Sequence, residues 1–471
     1  MQERAVDAAS SLSSTSSLVT LPKTGFSNAG WRERILSLFM PISPGALMRI
    51  FCLCLAVFLC SLGASRPALA APLPRSENGL ALRPPMGFND WAHYECHISQ
   101  RLFVETARAL IWTGLARLGY RDVNIDDCWM ARHRNAEGQL VVRHRLFPRG
   151  LKWLGHFLHA HGLKFGIYED AGYKTCQGRP GMYGHIREDV RTFAAWGVDY
   201  LKLDYCNPPT NRYPGLDFSK VAHRVYAAVS RALRHSGRAI VFSCSPPAYV
   251  YGQPKAYAEV MSWIGSVCNL WRTDDDVEDA WKSIVANYTG NVGLWRYAHP
   301  GAWNDPDMLE VGNRGLSLRE QRTQFSLWAE MAAPLLISTD VARLSPAALA
   351  ILSNRAVIAV DQDPLGVQAR LVRRAGTIDI LSRPLVGGAH AVVFFNRGPM
   401  AATATVRLGI LGIGRSPVHV RNLWTGKTTV ARDRITARVA SHGVAMFRIR
   451  AVAEGRGAVR PAPTRTDGGP S

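Results

Sequence analysis

The sequence predicts an α/β protein in which a (β/α)8 TIM barrel is followed by an antiparallel β-sandwich. In the first part, short apolar segments typical of buried strands alternate with helical patterns over roughly 280 residues, close to the usual size of such a barrel. After residue 365 alternating strands follow one another with Gly and Pro between them and no helix. The chain is 47% hydrophobic and 20% charged, as in globular proteins.

The N-terminal region predicts an exported protein. Residues 1–47 are a Ser-rich extension that is either disordered or not translated. Residues 48–70 combine the charged start Met48-Arg49, an apolar run too short to span a bilayer comfortably, and an A-x-A sequence ending at Ala70. We interpret them as a signal peptide, which predicts a secreted or periplasmic protein with no stable membrane insertion after cleavage. An uncleaved membrane anchor is the alternative.

The predicted barrel covers residues 82–365. Its strands are 86–89, 123–126, 165–168, 200–204, 240–244, 267–271, 303–309 and 334–338. Its helices are 103–118, 151–161, 189–196, 220–235, 257–264, 276–287, 318–331 and 346–353. The sandwich covers 366–451, with strands 377–381, 391–396, 403–408, 418–423 and 444–449. Residues 452–471, rich in Gly, Pro, Arg and Thr, predict a disordered tail.

Polar residues gather at the predicted carboxyl ends of the barrel strands, where barrel enzymes carry out their chemistry. They include Asp126, Asp127, Tyr168, Lys202, Asp204, Ser245, Arg272, Asp276 and Asp307. A single such aspartate is usually a turn or capping residue. Their occurrence on six strands favours a common site.

The central pair is expected in the stretch 198–206, V-D-Y-L-K-L-D-Y-C. Residues two apart on a strand share a face, so Lys202 and Asp204 point into the same space. The nearby cation predicts a low pKa for Asp204, which makes it the candidate nucleophile. In W-R-T-D-D-D, like-charge repulsion should raise one pKa, and we assign Asp276 as the general acid. A solvated acidic turn is the alternative.

The residue types favour a sugar as ligand. Carboxylates and one lysine can bind hydroxyl pairs, and Phe88, Trp129 and Tyr249 can cover the apolar faces of a sugar ring. Glycoside hydrolysis requires two carboxyl groups. No His or Cys metal cluster accompanies them, so no metal or cofactor is expected.

Net charge and cysteine content limit which partners and cross-links are expected. The formal charge of +20 raises nucleic-acid binding as an alternative, but the basic residues are spread singly and no nucleic-acid motif accompanies them, so no such partner is expected. Six cysteines lie beyond the signal segment and favour disulfides, with 15 connectivities open.

Five long motifs resemble the signatures of glycoside hydrolase family 27, the family of α-galactosidases (melibiases) and α-N-acetylgalactosaminidases. They are M-G-F-N-D-W (86–91), N-I-D-D-C-W (124–129), G-L-K-F-G-I-Y-E-D-A-G (162–172), W-G-V-D-Y-L-K-L-D-Y-C (196–206) and W-N-D-P-D-M-L (303–309). The resemblance runs from about residue 82 to 370, and it implies a barrel followed by a β-sandwich. It also implies a retaining exo-α-glycosidase that hydrolyses terminal α-D-galactosides in an oligosaccharide, glycoconjugate or small molecule, through a covalent glycosyl-enzyme intermediate.

The resemblance also implies roles for individual residues. Asp204 is the nucleophile and Asp276 the acid/base, with carboxyl groups about 5 to 5.5 Å apart. The sugar-binding residues are Asp126, Asp127, Tyr168, Lys202, Arg272 and Asp307, and the disulfides are Cys96–Cys128, Cys176–Cys206 and Cys244–Cys268. A homodimer is left open. The alternative function is non-catalytic carbohydrate binding on the same fold.

Some positions depart from the family pattern. Phe88 stands where the family has its pocket tryptophan, and Tyr205 follows the nucleophile where a small or polar residue is commoner. In C-S-P-P-A-Y (244–249), Ser245 and Ala248 match the α-N-acetylgalactosaminidases, whereas animal α-galactosidases carry Glu and Leu there. The smaller side chains predict room for an acetamido group at C2, with Ser245 bonded to its carbonyl.

Overall fold

The structure is a computed structural model that describes residues 78–414 and 417–452. The predicted N-terminal extension, the signal peptide and nearly all of the predicted tail lie outside the described residues. In the part of the chain that is described, no helix is both long and apolar enough to cross a membrane.

The first part of the described chain is a parallel barrel, as predicted. Its strands are β1 Met86–Asn89, β2 Asp122–Asn124, β3 Lys164–Asp170, β4 Tyr200–Asp204, β5 Val241–Cys244, β6 Leu270–Arg272, β7 Trp303–Asp305 and β8 Leu335–Ile337. They pair in the order β7-β6-β5-β4-β3-β2-β1-β8. A parallel bridge between Leu309 and Ile337 closes the barrel, so all eight carboxyl ends meet at one rim.

Helices separate the strands and cover the outside of the barrel. They are Trp91–Tyr94, Gln100–Trp112, Leu115–Leu118, Gly150–Ala160, Ile186–Trp196, Phe218–Arg234, Pro254–Met261, Ile264–Val267, Trp281–Val292, Leu318–Glu330, Pro346–Leu352 and Arg355–Asp361. Two predicted helices differ notably. The one at 103–118 is interrupted at Gly114, whose φ of +80° is incompatible with a continuous helix. The one at 276–287 begins only at Trp281, which leaves Asp276 on the loop after β6.

The predicted strand 267–271 is also shifted. Residues Ile264–Val267 form a helical turn, and β6 starts at Leu270. The short helix Arg355–Asp361 was not among the predicted elements; Asn354 caps it by accepting from the backbone N–H groups of Ala356 and Val357.

The second part is a β-sandwich, which confirms the predicted fold class. Its strands are β9 Arg370–Ala375, β10 Ile378–Leu385, β11 Ala389–Asn396, β12 Ala402–Arg407, β13 Val418–Asn422, β14 Thr428–Ala431, β15 Arg434–Val439 and β16 Val444–Ala451. Six form a sheet in the order β14-β13-β16-β11-β10-β9, and β12 pairs with β15. Strands β9, β14 and β15 were not predicted. The first two lie at the sheet edges, and none of their residues is fully buried.

The sandwich packs on the two helices that follow β6 and β7. Tyr288, in the helix Trp281–Val292, donates a hydrogen bond to Asp379 Oδ2 at 3.0 Å and packs edge-on against Phe395. In the helix Leu318–Glu330, Ser326 Oγ accepts from Trp424 Nε1 at 3.0 Å. The sandwich therefore supports the side of the barrel whose loops carry Asp276 and Asp307.

We expect Gly155→Ala to destabilise the protein. Gly155 lies in the buried face of the helix Gly150–Ala160, and a Cβ there would stand 2.4 Å from the backbone oxygen of Trp196. Alanine is the better helix former by about 1 kcal/mol, but the clash with backbone forces two helices apart at a cost of about 1–3 kcal/mol. The net loss is measurable by urea unfolding. Gly409→Ala, which meets nothing within 4 Å, is the matched control; a Gly155→Ala protein at least as stable as the wild type would contradict the packing described here.

Candidate active site

Lys202 lies at the centre of the site, on β4 inside the rim. Its Nζ is 2.8 Å from Asp126 Oδ2 and 3.9 Å from Asp204 Oδ2, and its side chain is only 11% exposed. Burial would lower the pKa of this lysine, but the Asp126 and Asp204 carboxylates outweigh burial and raise the pKa well above its ordinary value. A permanent positive charge therefore lies between two strand ends.

Asp204, the candidate nucleophile, ends β4 and is 14% exposed. The Ser245 hydroxyl donates a hydrogen bond to its Oδ1. Burial nevertheless raises the pKa of Asp204 above its ordinary value, although Lys202 and Ser245 oppose the shift. The predicted low pKa is wrong in direction, because desolvation exceeds the effect of a lysine that is closer to Asp126.

Asp276, the candidate acid, projects from the loop after β6 and is 61% exposed. The loss of contact with solvent on one side would raise the pKa of Asp276. Arg272, whose Nη1 lies 2.9 Å from Asp276 Oδ1, and Lys202 outweigh this effect and hold the pKa below its ordinary value. Within the acidic triplet it is the pKa of Asp274 that is raised, mainly by burial and in part by repulsion from Asp275. The predicted increase therefore occurs at Asp274, and its assignment to Asp276 is wrong.

Arg272 links the candidate acid to Asp307. Its Nη2 is 3.1 Å from Asp307 Oδ2, which also accepts from Val277 N at 2.8 Å. Burial raises the pKa of Asp307 to about 7, with Arg272 opposing the shift. The backbone φ of Asp307 is +78°. Residues other than glycine rarely adopt this conformation, and where they do it often marks a functional site.

Asp126 and Asp127 follow β2 and are both buried. Asp126 Oδ2 accepts from Asn89 Nδ2 at 2.9 Å as well as from Lys202. Asp127 accepts from Thr175 Oγ1 at 3.1 Å and from Gln177 N at 3.0 Å. Each carboxylate is therefore held in a fixed orientation, with lone pairs left for a ligand hydroxyl.

The three predicted disulfides are all present: Cys96–Cys128, Cys176–Cys206 and Cys244–Cys268. The second lies in the site. Tyr168 Oη is 3.3 Å from Cys176 Sγ, and Tyr249 Oη is 3.0 Å from Cys206 Sγ. Cys176 Sγ also lies 3.8 Å from Asp204 Oδ2, so this disulfide forms one wall beside the candidate nucleophile.

The prediction that Phe88, in the first motif, covers a face of the sugar is wrong. Phe88 is fully buried against Tyr94 and Phe103, so it offers no face to a ligand. Alternation along β1 explains this: Asn89 points inward to Asp126, and Phe88 points out to the helices. Trp91, after the strand end, lies close enough to Asp276 to help lower the pKa of that carboxyl and is the aromatic residue of this motif that reaches the site. Trp129 is likewise buried, with its indole N–H bonded to Tyr168 O.

The remaining predicted residues have separate positions. Ser245 is buried and Ala248 is partly exposed on the loop after β5. Tyr205 is 1% exposed and packs against Phe218, Tyr226 and Tyr249. It therefore does not face an opening for a leaving group.

One group of potential metal ligands lies beside this site, formed by Asp170, Cys176 and Cys206. The two sulfurs are joined in a disulfide, and both Asp170 oxygens accept backbone hydrogen bonds, from Gly172 N and Cys206 N. These residues fit a structural support better than a metal site.

Comparison with known proteins agrees with this geometry. A family model described as Alpha galactosidase A matches residues 83–363, and one described as Alpha galactosidase C-terminal beta sandwich domain matches residues 375–449.

Individual relatives agree with the family models. The chain is 43% identical over 373 residues to the alpha-galactosidase of Oryza sativa subsp. japonica (79% of this chain, 85% of that one). It is 42% identical over 392 residues to the alpha-N-acetylgalactosaminidase of Gallus gallus (79% and 94%). The crystal structure of alpha-galactosidase I from Mortierella vinacea matches with a TM-score of 0.73 at 31% identity (80% and 99%). The chain therefore belongs to glycoside hydrolase family 27 and is a glycoside hydrolase of the α-galactosidase family.

Proposed function

We propose that the protein is a retaining exo-α-glycosidase that removes terminal α-D-galactose or α-N-acetylgalactosamine. One arrangement carries the proposal: a buried Asp204 bonded to Ser245 and close to Lys202, with Asp276 at the rim beside Arg272. Asp126 and Asp127 close the inner end of the site and bind the hydroxyls of one terminal sugar.

The reaction has two displacements. In the first, a carboxylate oxygen of Asp204 bonds to the anomeric carbon, the glycosidic C–O bond breaks, and Asp276 gives its proton to the departing oxygen. In the second, Asp276 takes a proton from water, the water oxygen bonds to the anomeric carbon, and Asp204 leaves as a carboxylate. The anomeric configuration is retained because it is inverted twice.

The ion pair between Arg272 and Asp276, as it stands without substrate, places a condition on the first step. Arg272 keeps Asp276 ionised, so substrate binding has to loosen this ion pair before Asp276 can carry a proton. A sugar substituent at C2 that bonds to Arg272 would do so. Lys202 has the same electrostatic effect on Asp204, but there it assists the reaction, because the ionised carboxylate is the form that attacks.

Sugar choice depends on Ser245 and Ala248. Because the Ser245 hydroxyl donates to Asp204, its oxygen is left as an acceptor, which suits the N–H of an acetamido group rather than the carbonyl. The small Ala248 side chain leaves room beside it. These two residues favour acceptance of N-acetylgalactosamine, while galactose needs neither.

The first prediction concerns the reaction itself. The protein should hydrolyse nitrophenyl α-galactoside or its N-acetyl counterpart, and proton NMR should detect the α-anomer as the first product. Asp204→Asn should lower kcat by at least about 10³-fold. An initial β-anomer would rule out the double displacement, and inactivity of the wild type on both substrates would count against the glycosidase.

The second prediction concerns Lys202. Lys202→Met should move the acidic limb of the kcat/KM profile to higher pH by about 1–3 units, because an adjacent cation lowers a carboxyl pKa by about that amount. Asp204 must be ionised to attack, so activity is lost as pH falls through its pKa. Lys164→Met, at the amino end of β3, is the control and should leave the profile unchanged. An unshifted limb in Lys202→Met would show that Lys202 does not set the pKa of the nucleophile.

The third prediction concerns the sugar. Ala248→Leu should lower kcat/KM for the α-N-acetylgalactosaminide by about tenfold or more, since a few methylenes in a fitted pocket change specificity by that factor. The α-galactoside serves as the internal control and should be much less affected. Equal losses on both substrates would remove Ala248 from the acetamido site.

A further inference from the structure

A basic cleft of about 700 Å³ lies beside the active-site loop. One side is formed by residues 132–134 and the other by residues 173–174 and 177–180. Its cationic side chains are Arg132, Arg134, Lys174 and Arg179, and its lining contains no Asp or Glu.

Most of this charge is not compensated. Arg134 forms a bidentate pair with Asp189, with both N–O distances 2.7 Å. Within the described residues, Arg132, Lys174 and Arg179 form no ion pair with a carboxylate, and the buried Nε of Arg179 has no hydrogen-bond partner. In the described part of the chain, three cations are therefore left without a carboxylate partner, and one of them, Arg179, also has an unpaired buried donor.

The arginines also repel one another. Burial lowers the pKa of Arg143, and Arg179, Arg132 and Arg145 lower it further. Arg143 itself donates to Cys128 O at 3.3 Å, which joins this cluster to the residue after Asp127. Crowding like charges costs free energy unless an anion offsets it, so the cluster suits a bound anion.

The cleft is connected to the candidate active site through the loop turn that joins Thr175 to Arg179. Arg179 N donates to Thr175 Oγ1 at 3.1 Å, and the same hydroxyl donates to Asp127 Oδ1 at 3.1 Å. Between them, the exposed Cys176 has its sulfur 3.8 Å from Asp204 Oδ2. The loop thus borders the opening at the point where the glycosidic bond is broken.

We propose that the basic cleft is a subsite for a carboxylate or sulfate group on the leaving-group side of the substrate. The assignment rests on the proposed function: a pocket closed by Asp126 and Asp127 holds the terminal sugar, so the leaving group extends outward along the loop that carries Lys174 and Arg179. Arginine supplies paired donors that match carboxylate and sulfate oxygens. The preferred substrates are then α-glycosides of acidic saccharides.

The test compares substrates that differ only in charge. In the neutral substrates the leaving group consists of one or two hexose residues. In the two charged series, the last residue of that leaving group is replaced by a hexuronate or by a sulfated hexose. At low salt, kcat/KM for a charged substrate should exceed that for the neutral one by about tenfold, as for a charge-assisted contact. The advantage should shrink when salt rises from about 0.05 to 0.5 M, because screening shortens the range of the interaction. Comparison of the two charged series shows which anion fits better.

Variants separate this subsite from general surface charge. Arg179→Gln and Lys174→Gln should each lower the charged-to-neutral ratio of kcat/KM by about threefold or more. Arg231→Gln, on the outer face between the helices Ile186–Trp196 and Phe218–Arg234, is the matched control and should leave the ratio unchanged.

Each outcome decides the assignment. Hydrolysis of the neutral substrates with no preference for either charged series, or a preference equally reduced by Arg231→Gln, overturns the anion subsite and leaves the glycosidase intact. Failure to hydrolyse any substrate overturns the proposed function, and calorimetric titration of the charged and neutral saccharides then tests the cleft alone. Salt-dependent binding of a DNA oligonucleotide that Arg179→Gln abolishes, without any saccharide preference, assigns the cleft to nucleic acid instead.

Discussion

The positive charge of Lys202 allows several buried carboxylates to share one end of the barrel. It contacts Asp126 directly and lies close to Asp204, and it also opposes the rise in pKa of the buried Asp90. Removing an ionised carboxylate from water costs several kcal/mol unless a partner offsets it. Without Lys202, the pKa values of these carboxyl groups would rise and the groups would become protonated. A protonated Asp204 could not act as the proposed nucleophile.

Arg272 does the same for the other half of the site. It pairs with Asp276 at the rim and with Asp307 behind it. The two cations therefore divide the carboxylates into one set around Lys202, with Asp126 and Asp204, and another around Arg272, with the buried Asp307 and the exposed Asp276. In the proposed mechanism, this division separates the group that attacks from the group that exchanges protons with the leaving oxygen and with water.

The parallel register delivers these side chains to one place. Tyr168 and Asp170 on β3 pair with Lys202 and Asp204 on β4, and Lys202 pairs with Ser243 on β5. Ser245 lies just beyond that last pair, which brings its hydroxyl to Asp204. A shift of any strand by one residue would turn its polar side chains to the helix side of the barrel.

Much of this could be predicted from the sequence. The barrel strands were visible as apolar runs, and Lys202, Asp204 and Asp126 could be placed at strand ends because side-chain direction follows from alternation. The same alternation separates Phe88 from the inward Asn89, and it identifies Trp91 as the aromatic residue beyond the strand end.

Other features depend on three-dimensional surroundings. The pKa shifts of Asp204 and Asp276 depend on burial and on which carboxylate each cation contacts, neither of which local sequence specifies. The basic cleft joins Arg132 to Arg179, 47 positions apart in the printed sequence, and only the fold brings them together. None of the residues of strands β9 and β14 is fully buried, so their pairing depends on neighbouring strands rather than on a pattern of their own.

The most direct test of the central claim is to identify the residue that forms the covalent intermediate. The protein would be incubated with a fluorinated galactosyl fluoride, which forms the glycosyl-enzyme faster than it is hydrolysed, and peptides would be analysed by mass spectrometry. The account predicts a single added glycosyl group on Asp204. A label on any other residue, or steady turnover of ordinary substrate with no trapped intermediate, would contradict it.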